Sequence, residues 1–226
     1  MIRRVLAEAI GTGLLVAAVV GSGIAASRLS PGDVGLQLLE NAIATAAALV
    51  AIIIALGPVS GAHLNPVITL VDLALGGQRP RQAFAYIAAQ VVGGAIGAVV
   101  ANLMFELPAV TLSAHVRNGM PVWFAEVVAT AGLVLVVFGA ARSGRSGVAP
   151  FAIGAYIAAA YFFTSSTSFA NPAVTLARML SDTFAGIAPS SSPAFIGAQL
   201  VGGAIGLVLV RALYPRSAAV VVPRAH

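Results

Sequence analysis

The chain has 226 residues, 59% of them apolar and 8% charged. That composition cannot furnish a water-facing shell for a domain of this length, which excludes a soluble globular protein and makes a bilayer the solvent. The formal charge of +5 rests on arginine alone, scattered at the ends of apolar runs with no interleaved aromatic patch, which argues against nucleic acid, and the absence of cysteine excludes disulfides, thiol catalysis and cysteine metal sites.

A spanning helix needs about 20 mostly apolar residues to cross about 30 Å of hydrocarbon. The first such run, 5–26, follows a basic head (Arg3, Arg4) and could be read as a signal peptide. It is too long for a signal core and carries Glu8, so a retained first span is the reading adopted. The second run is 36–56. After it comes SGAHLNPVITL, Ser60–Leu70, where a small polar stretch leads into Asn-Pro and then an apolar segment. Asparagine is a good N-cap and proline suits a first helical turn, so a helix is expected from Asn65 to Gly76-Gly77. Eleven residues, 65–75, make about 16 Å, half a bilayer.

The third run, 83–105, is followed by a loop and a fourth, 122–141, which contains Glu126. The fifth is 148–165. TSFANPAVTLAR, Thr167–Arg178, then repeats the Asn-Pro phrase and predicts a second short helix over 171–181, ending near Ser181-Asp182. The sixth run is 193–214, and 216–226 is left as a tail.

The two halves match. AYIAAQVVGGAIGAVVANLMF (85–105) aligns without gaps to AFIGAQLVGGAIGLVLVRALY (194–214), with eleven of twenty-one positions identical, Gln90/Gln199 among them. AEAIGT at Ala7 is echoed by AEVVAT at Ala125. The chain therefore reads as a single domain, 1–226, built from repeats 1–110 and 118–215. Three spans per repeat start the second copy on the opposite membrane face, so the repeats are inverted. With the N-terminus inside, cytoplasmic segments hold Arg3, Arg4, Arg79, Arg81, Arg142, Arg145, Arg216 and Arg224, with Arg211 near a helix end; outer loops hold only Arg28 and Arg117. Both termini are expected in the cytoplasm of a multi-pass cell-membrane protein.

A half-helix entering the membrane brings a non-helical arm, and GPVSGAHL and TSSTSFA fit that role. Unpaired backbone at membrane depth survives only beside a water-filled path or buried in protein. Symmetry then sets Asn65 and Asn171 face to face near the midplane, with carbonyl acceptors from the arms and positive helix ends beside them. Two ordinary extramembrane loops with capped helices would explain either copy alone, but not its recurrence. Glu8 and Glu126 occupy matching places; either each snorkels near a helix end, or each accepts hydrogen bonds from N–H groups of an arm, the reading repetition favours. The glycines of Gly93–Gly97 and Gly202–Gly206 read as close helix crossings. His63, His115 and His226 form no metal-ligand spacing, so neither metal nor other cofactor is expected, and His63 reads as a hydrogen-bonded histidine.

Paired Asn-Pro motifs in inverted repeats of three spans resemble the major intrinsic protein family, the aquaporins and glycerol facilitators, from about Arg4 to Tyr214. The resemblance implies an all-α membrane fold of six spans and two re-entrant half-helices. It implies a passive pore for small uncharged solutes, one per subunit of a homotetramer. It also implies a midplane set of Asn65, Pro66, Val67, Asn171, Pro172 and Ala173, and pore-facing carbonyls at Gly61, Ala62, His63, Thr167, Ser168 and Phe169. Glu8 and Glu126 are the implied loop anchors.

The chain departs from the family at the outer constriction. The place of the usual arginine after the second Asn-Pro-Ala is Val174, and gap-free counting puts the other constriction positions at Thr45, Ala159 and Ser168, none aromatic or charged. A wider, less polar gate is expected. An arginine appears instead at Arg178, seven residues after Asn171, matched by Asp72 seven after Asn65. At about 100° per residue both return to the asparagine's helix face, so they are expected in the two vestibules, unless each is paired off-axis. The combination resembles a bacterial branch linked to arsenic resistance, which implies neutral arsenous acid as a solute beside water and glycerol. The rivals are a secondary transporter, which needs an ionisable coupling site at the midplane, and a non-conducting scaffold. No nucleophile or acid–base pair converges as an enzyme would require.

Overall fold

The structure is a computed structural model that describes residues 1–214; Arg216, Arg224, His226, the 216–226 tail and the last residue of the second repeat lie outside the described residues. Among the described residues eight α-helices follow one another: α1 Ile2–Leu29, α2 Val34–Ser60, α3 Pro66–Ala74, α4 Pro80–Met104, α5 Met120–Arg142, α6 Ala149–Phe163, α7 Pro172–Arg178 and α8 Ser192–Leu213. A 3₁₀ turn, Ser146–Val148, leads into α6. Six are long and apolar enough to cross a membrane, α6 together with its leading turn, and α3 and α7 are short.

Local chemistry sets these boundaries. The Asp33 side chain accepts the Leu36 N–H and opens α2. Proline stands in the first turn of α3, α4, α5, α6, α7 and α8, where its missing N–H costs nothing. Helix α2 ends at Gly61, whose φ of 93° is a left-handed cap suited to glycine.

The spans are inside-out relative to a soluble protein. On α1, Leu6, Ile10 and Leu14 are exposed on one stripe, while Ala7, Glu8, Gly11, Thr12 and Leu15 are buried on the other. Small residues on the inner stripe let backbones touch. A Cβ on Gly93 would strike the Ala9 carbonyl and one on Gly97 the Gly13 carbonyl, so the α1–α4 crossing requires glycine there. Gly202 and Gly206 do the same for α5–α8, against the Val127 carbonyl and Val134. Gly94 and Gly203 instead receive the half-helices: Gly94 lies against Ala177 of α7 and Gly203 against Val67 of α3. Each half-helix thus leans on a span of the other half.

The second half-helix is shorter than expected, ending at Arg178 and not near Ser181-Asp182. The carbonyls that would continue it are taken by other chain segments. Ile187 N–H donates to Arg178 O, Ser113 N–H to Met179 O and Thr111 N–H to Leu180 O.

Candidate solute pathway

Asn65 and Asn171 cap the two half-helices, each Oδ1 accepting an N–H of its own first turn, from Val67 (2.9 Å) and from Ala173 (3.0 Å) and Val174 (3.3 Å). Their Nδ2 groups reach across. Asn65 Nδ2 donates to Ala170 O (2.7 Å) and Asn171 Nδ2 to Leu64 O (2.8 Å). Each asparagine binds the carbonyl just before the other, a reciprocity that a local two-fold axis generates. An amide nitrogen has two hydrogens, so one N–H on each asparagine is left over.

The arms that deliver these asparagines have an unusual backbone. Ala62, Leu64, Ser168 and Ala170 all have φ between 46° and 52°, and Thr167 has 61°. A non-glycine residue in this region costs about 1–3 kcal/mol and persists only where its surroundings demand it. The buried Glu8 and Glu126, both 0% exposed, make that demand. Glu8 Oε1 accepts from Ser60 Oγ (2.7 Å) and His63 N (3.0 Å), and its Oε2 from Leu64 N (2.7 Å) and Gln90 Nε2 (2.8 Å). Glu126 Oε1 accepts from Phe169 N (2.9 Å), and its Oε2 from Ala170 N (2.9 Å) and Gln199 Nε2 (2.7 Å). The two glutamines also donate to Thr69 Oγ1 and Thr175 Oγ1 of the half-helices. Sequence reasoning gave Gln90 and Gln199 no role, although their identity in the duplicated segment was the available signal.

A cavity of about 640 Å³ runs past both asparagines. Leu15, Leu49, Val137, Ile153 and Ile157 supply apolar wall; Gly61, Ala62, His63, Ser168 and Phe169 of the arms border it too. Asp72 and Arg178 border it seven residues beyond Asn65 and Asn171, about 10 Å to either side of the meeting point. At the α7 end, Thr45 Oγ1 and Tyr161 OH are hydrogen-bonded (3.1 Å), and Ser168 Oγ is buried with no hydrogen-bond partner among the described residues. The Arg178 guanidinium, 3% exposed, lies 3.4 Å from the Phe169 ring centroid while its Nε donates to Ala185 O. At the opposite end, Asp72 Oδ2 is 3.8 Å from His63 Nε2. His63 Nδ1 lies 3.2 Å from Thr69 Oγ1.

Several expected residues are elsewhere. Ala159 is exposed and does not border the cavity. The lining stripe of α6 is Ile153, Ile157 and Tyr161, and Ala159 stands about 200° away from it. An aromatic residue, Tyr161, therefore occupies the end where none was expected. Thr167 also misses the cavity, its N–H closing a turn onto Thr164 O. Pro66, Val67, Pro172 and Ala173 are buried behind the asparagines, Val67 packing into Gly203 and the Ala173 carbonyl facing Gly94. Arg178 is not in an open vestibule but buried against Phe169.

Beyond Arg178 the connection from α4 to α5 is tied to the segment that follows α7. Asp182 Oδ1 accepts the Ala114 N–H (2.9 Å), Arg117 Nε donates to Gly186 O (2.9 Å), and Ala188 N–H donates to His115 O (2.7 Å). The Arg117 guanidinium is 5.2 Å from the Phe169 centroid, so two cations share that ring. Burial pulls the Arg117 guanidinium below its ordinary value, and the Glu126 carboxylate pushes it back up.

A family model described as Major intrinsic protein matches residues 1–169. The chain is 50% identical over 209 residues to Aquaglyceroporin AqpS of Rhizobium meliloti (strain 1021), covering 92% of this chain and 89% of that protein. It is 32% identical to an Aquaporin Z of Bradyrhizobium diazoefficiens, with 92% of each covered. Among solved structures, the aquaglyceroporin from Plasmodium falciparum has the same fold, with a TM-score of 0.70 at 20% identity over 92% of this chain and 95% of that one.

Proposed function

The chain belongs to the major intrinsic protein family, and from that premise we propose how its residues carry out the family's passive conduction of small uncharged solutes. The channel is a multi-pass membrane protein working by facilitated diffusion, with water and glycerol as its solutes. The observation that carries the reading is the reciprocal pairing of Asn65 and Asn171 beside one continuous cavity.

In this reading a solute passes with its apolar side against the helix wall. Its hydroxyls exchange water for the arm carbonyls of Gly61, Ala62, His63, Ser168 and Phe169, and for the left-over N–H of each asparagine. Two helix N-termini converge at that point, each with about half a positive charge, which repels cations and breaks a proton relay along a water file. The constriction is formed at the α7 end by Thr45, Tyr161, Ser168, Val174 and Arg178. Val174 supports a wide gate, and Tyr161 and Arg178 supply the aromatic surface and the charge from different positions than gap-free counting selects. Glu8 and Glu126 serve as anchors of the two arms. Both termini are assigned to the cytoplasm, which makes the α7 end external, and the assembly is assigned as a homotetramer with one pore per subunit.

We extend the solute range to arsenous acid, a compact neutral trihydroxy molecule, on the strength of the small side chain at Val174. Proteoliposomes carrying the channel should swell in stopped-flow light scattering with glycerol and with arsenous acid faster than empty vesicles, and solute should equilibrate without being concentrated. Accumulation against a gradient would overturn the passive reading. Flux of glycerol without flux of arsenous acid would overturn the extension alone.

A further inference from the structure

The pseudo-two-fold relation has a chemical counterpart at each end of the cavity. In both halves the residue two before the asparagine touches the residue seven after it: His63 meets Asp72, and Phe169 meets Arg178. A ring holds a charge in each case, and the charges are opposite.

The two charges differ in what surrounds them. Arg178 stands at the last turn of α7, where the helix dipole favours a cation, and is held by the Ala185 carbonyl and the Phe169 face. Asp72 stands in the last turn of α3, where the dipole disfavours an anion. No donor of the described residues lies within hydrogen-bonding distance of its carboxylate, and the one opposite group is His63 Nε2 at 3.8 Å. Gly77 packs against Asp72: a Cβ there would overlap the Asp72 carboxyl group in its present orientation. The carboxylate borders the cavity, as do Gly61 and Ala62.

We propose that Asp72, backed by His63, forms a second solute subsite at the α3 end of the cavity, selective for neutral molecules that offer several hydroxyl donors. A carboxylate has about four lone-pair sites and no hydrogens, so it holds polyols and hydroxides of neutral metalloids and disfavours anions. With Arg178 as donor at the other end, a polyhydroxy solute meets donors first and acceptors last, or the reverse, according to direction. This rests on the channel reading above and names the solute class its inner end recognises.

The test is the ratio of glycerol to water permeability in proteoliposomes of the wild type, Asp72→Asn and Asp72→Ser, with glycerol flux followed over a concentration series. Water flux in the same vesicles reports that each variant is folded and inserted, and the serine variant covers a failure of the asparagine one. A hydrogen bond to a charged group contributes enough to expect the ratio to fall about tenfold and half-saturation to move up by a similar factor. A ratio and half-saturation within twofold of wild type in both variants would overturn the subsite while leaving the channel intact. A wild type that carried neither solute would overturn the channel reading itself.

Discussion

Glu126 offers the sharpest test of how the pathway is held. Its carboxylate is wholly buried and accepts three hydrogen bonds, from Phe169 N, Ala170 N and Gln199 Nε2. Alanine would orphan three buried donors, at about 1–3 kcal/mol each, so about 3–9 kcal/mol in all. Glutamine is more informative. Its best orientation keeps an oxygen for Ala170 N and Gln199 Nε2, but sets its amide –NH2 against the Phe169 N–H. The Phe169 N–H and the new –NH2 are then both buried without acceptors, about 2–6 kcal/mol together, and the two surviving bonds lose charge assistance. The strained backbone at Ser168 and Ala170 then loses its restraint before the spans do. Denaturant titration of the purified protein, read by helicity, gives the stability change, and stopped-flow swelling gives conduction. Solute flux should fail under conditions where helicity persists. An alanine variant within about 1 kcal/mol of wild type, conducting normally, would refute the anchoring argument.

Other expectations follow from the same geometry. Val174→Arg puts a second guanidinium into the cavity beside Arg178, and glycerol permeability should drop by about tenfold, a barrier increase of about 1.4 kcal/mol, in the swelling assay. Tyr161→Ala removes the Thr45 partner and the aromatic wall at the α7 end; five-carbon polyols, tested by the same method, should then enter measurably faster than in wild type. Gly97→Val drives a side chain into the Gly13 carbonyl and should cost about 1–3 kcal/mol or prevent assembly. Gly197→Ala, with nothing within 4 Å of the added carbon, is the neutral comparison by size-exclusion chromatography and thermal melting.

Much of this architecture was legible because a bilayer simplifies the problem. Once water is excluded as solvent, a run of apolar residues has one structural solution, and the six spans emerge within a few residues of the runs read from the chain. The fold and family were legible from the Asn-Pro phrases because proline, asparagine and a short apolar segment admit few alternatives. The end of the cavity was not. Counting backward from Asn171 keeps sequence distance but not helix face, so it selected Ala159 on the exposed side and not Tyr161 on the lining stripe. The early end of α7 depends on N–H groups of Thr111, Ser113 and Ile187, far away or across a turn, and no local pattern announces them. Helix periodicity put Arg178 on the face of Asn171 and so in a vestibule, but its burial against Phe169 depends on a ring contributed by the arm before the helix.

The clasp between Asn65 and the Ala170 carbonyl joins residues 105 positions apart in the chain. A ribosome adding about 5–20 residues per second needs some 5–20 seconds to deliver the second partner after the first has emerged. Throughout that interval the earlier re-entrant segment has neither its opposing asparagine nor the Gly203 groove that receives Val67. Biogenesis therefore cannot proceed hairpin by hairpin to a finished first half. The nascent Pro66–Ala74 segment must wait, sheltered by the insertion machinery or outside the lipid, until its twin arrives.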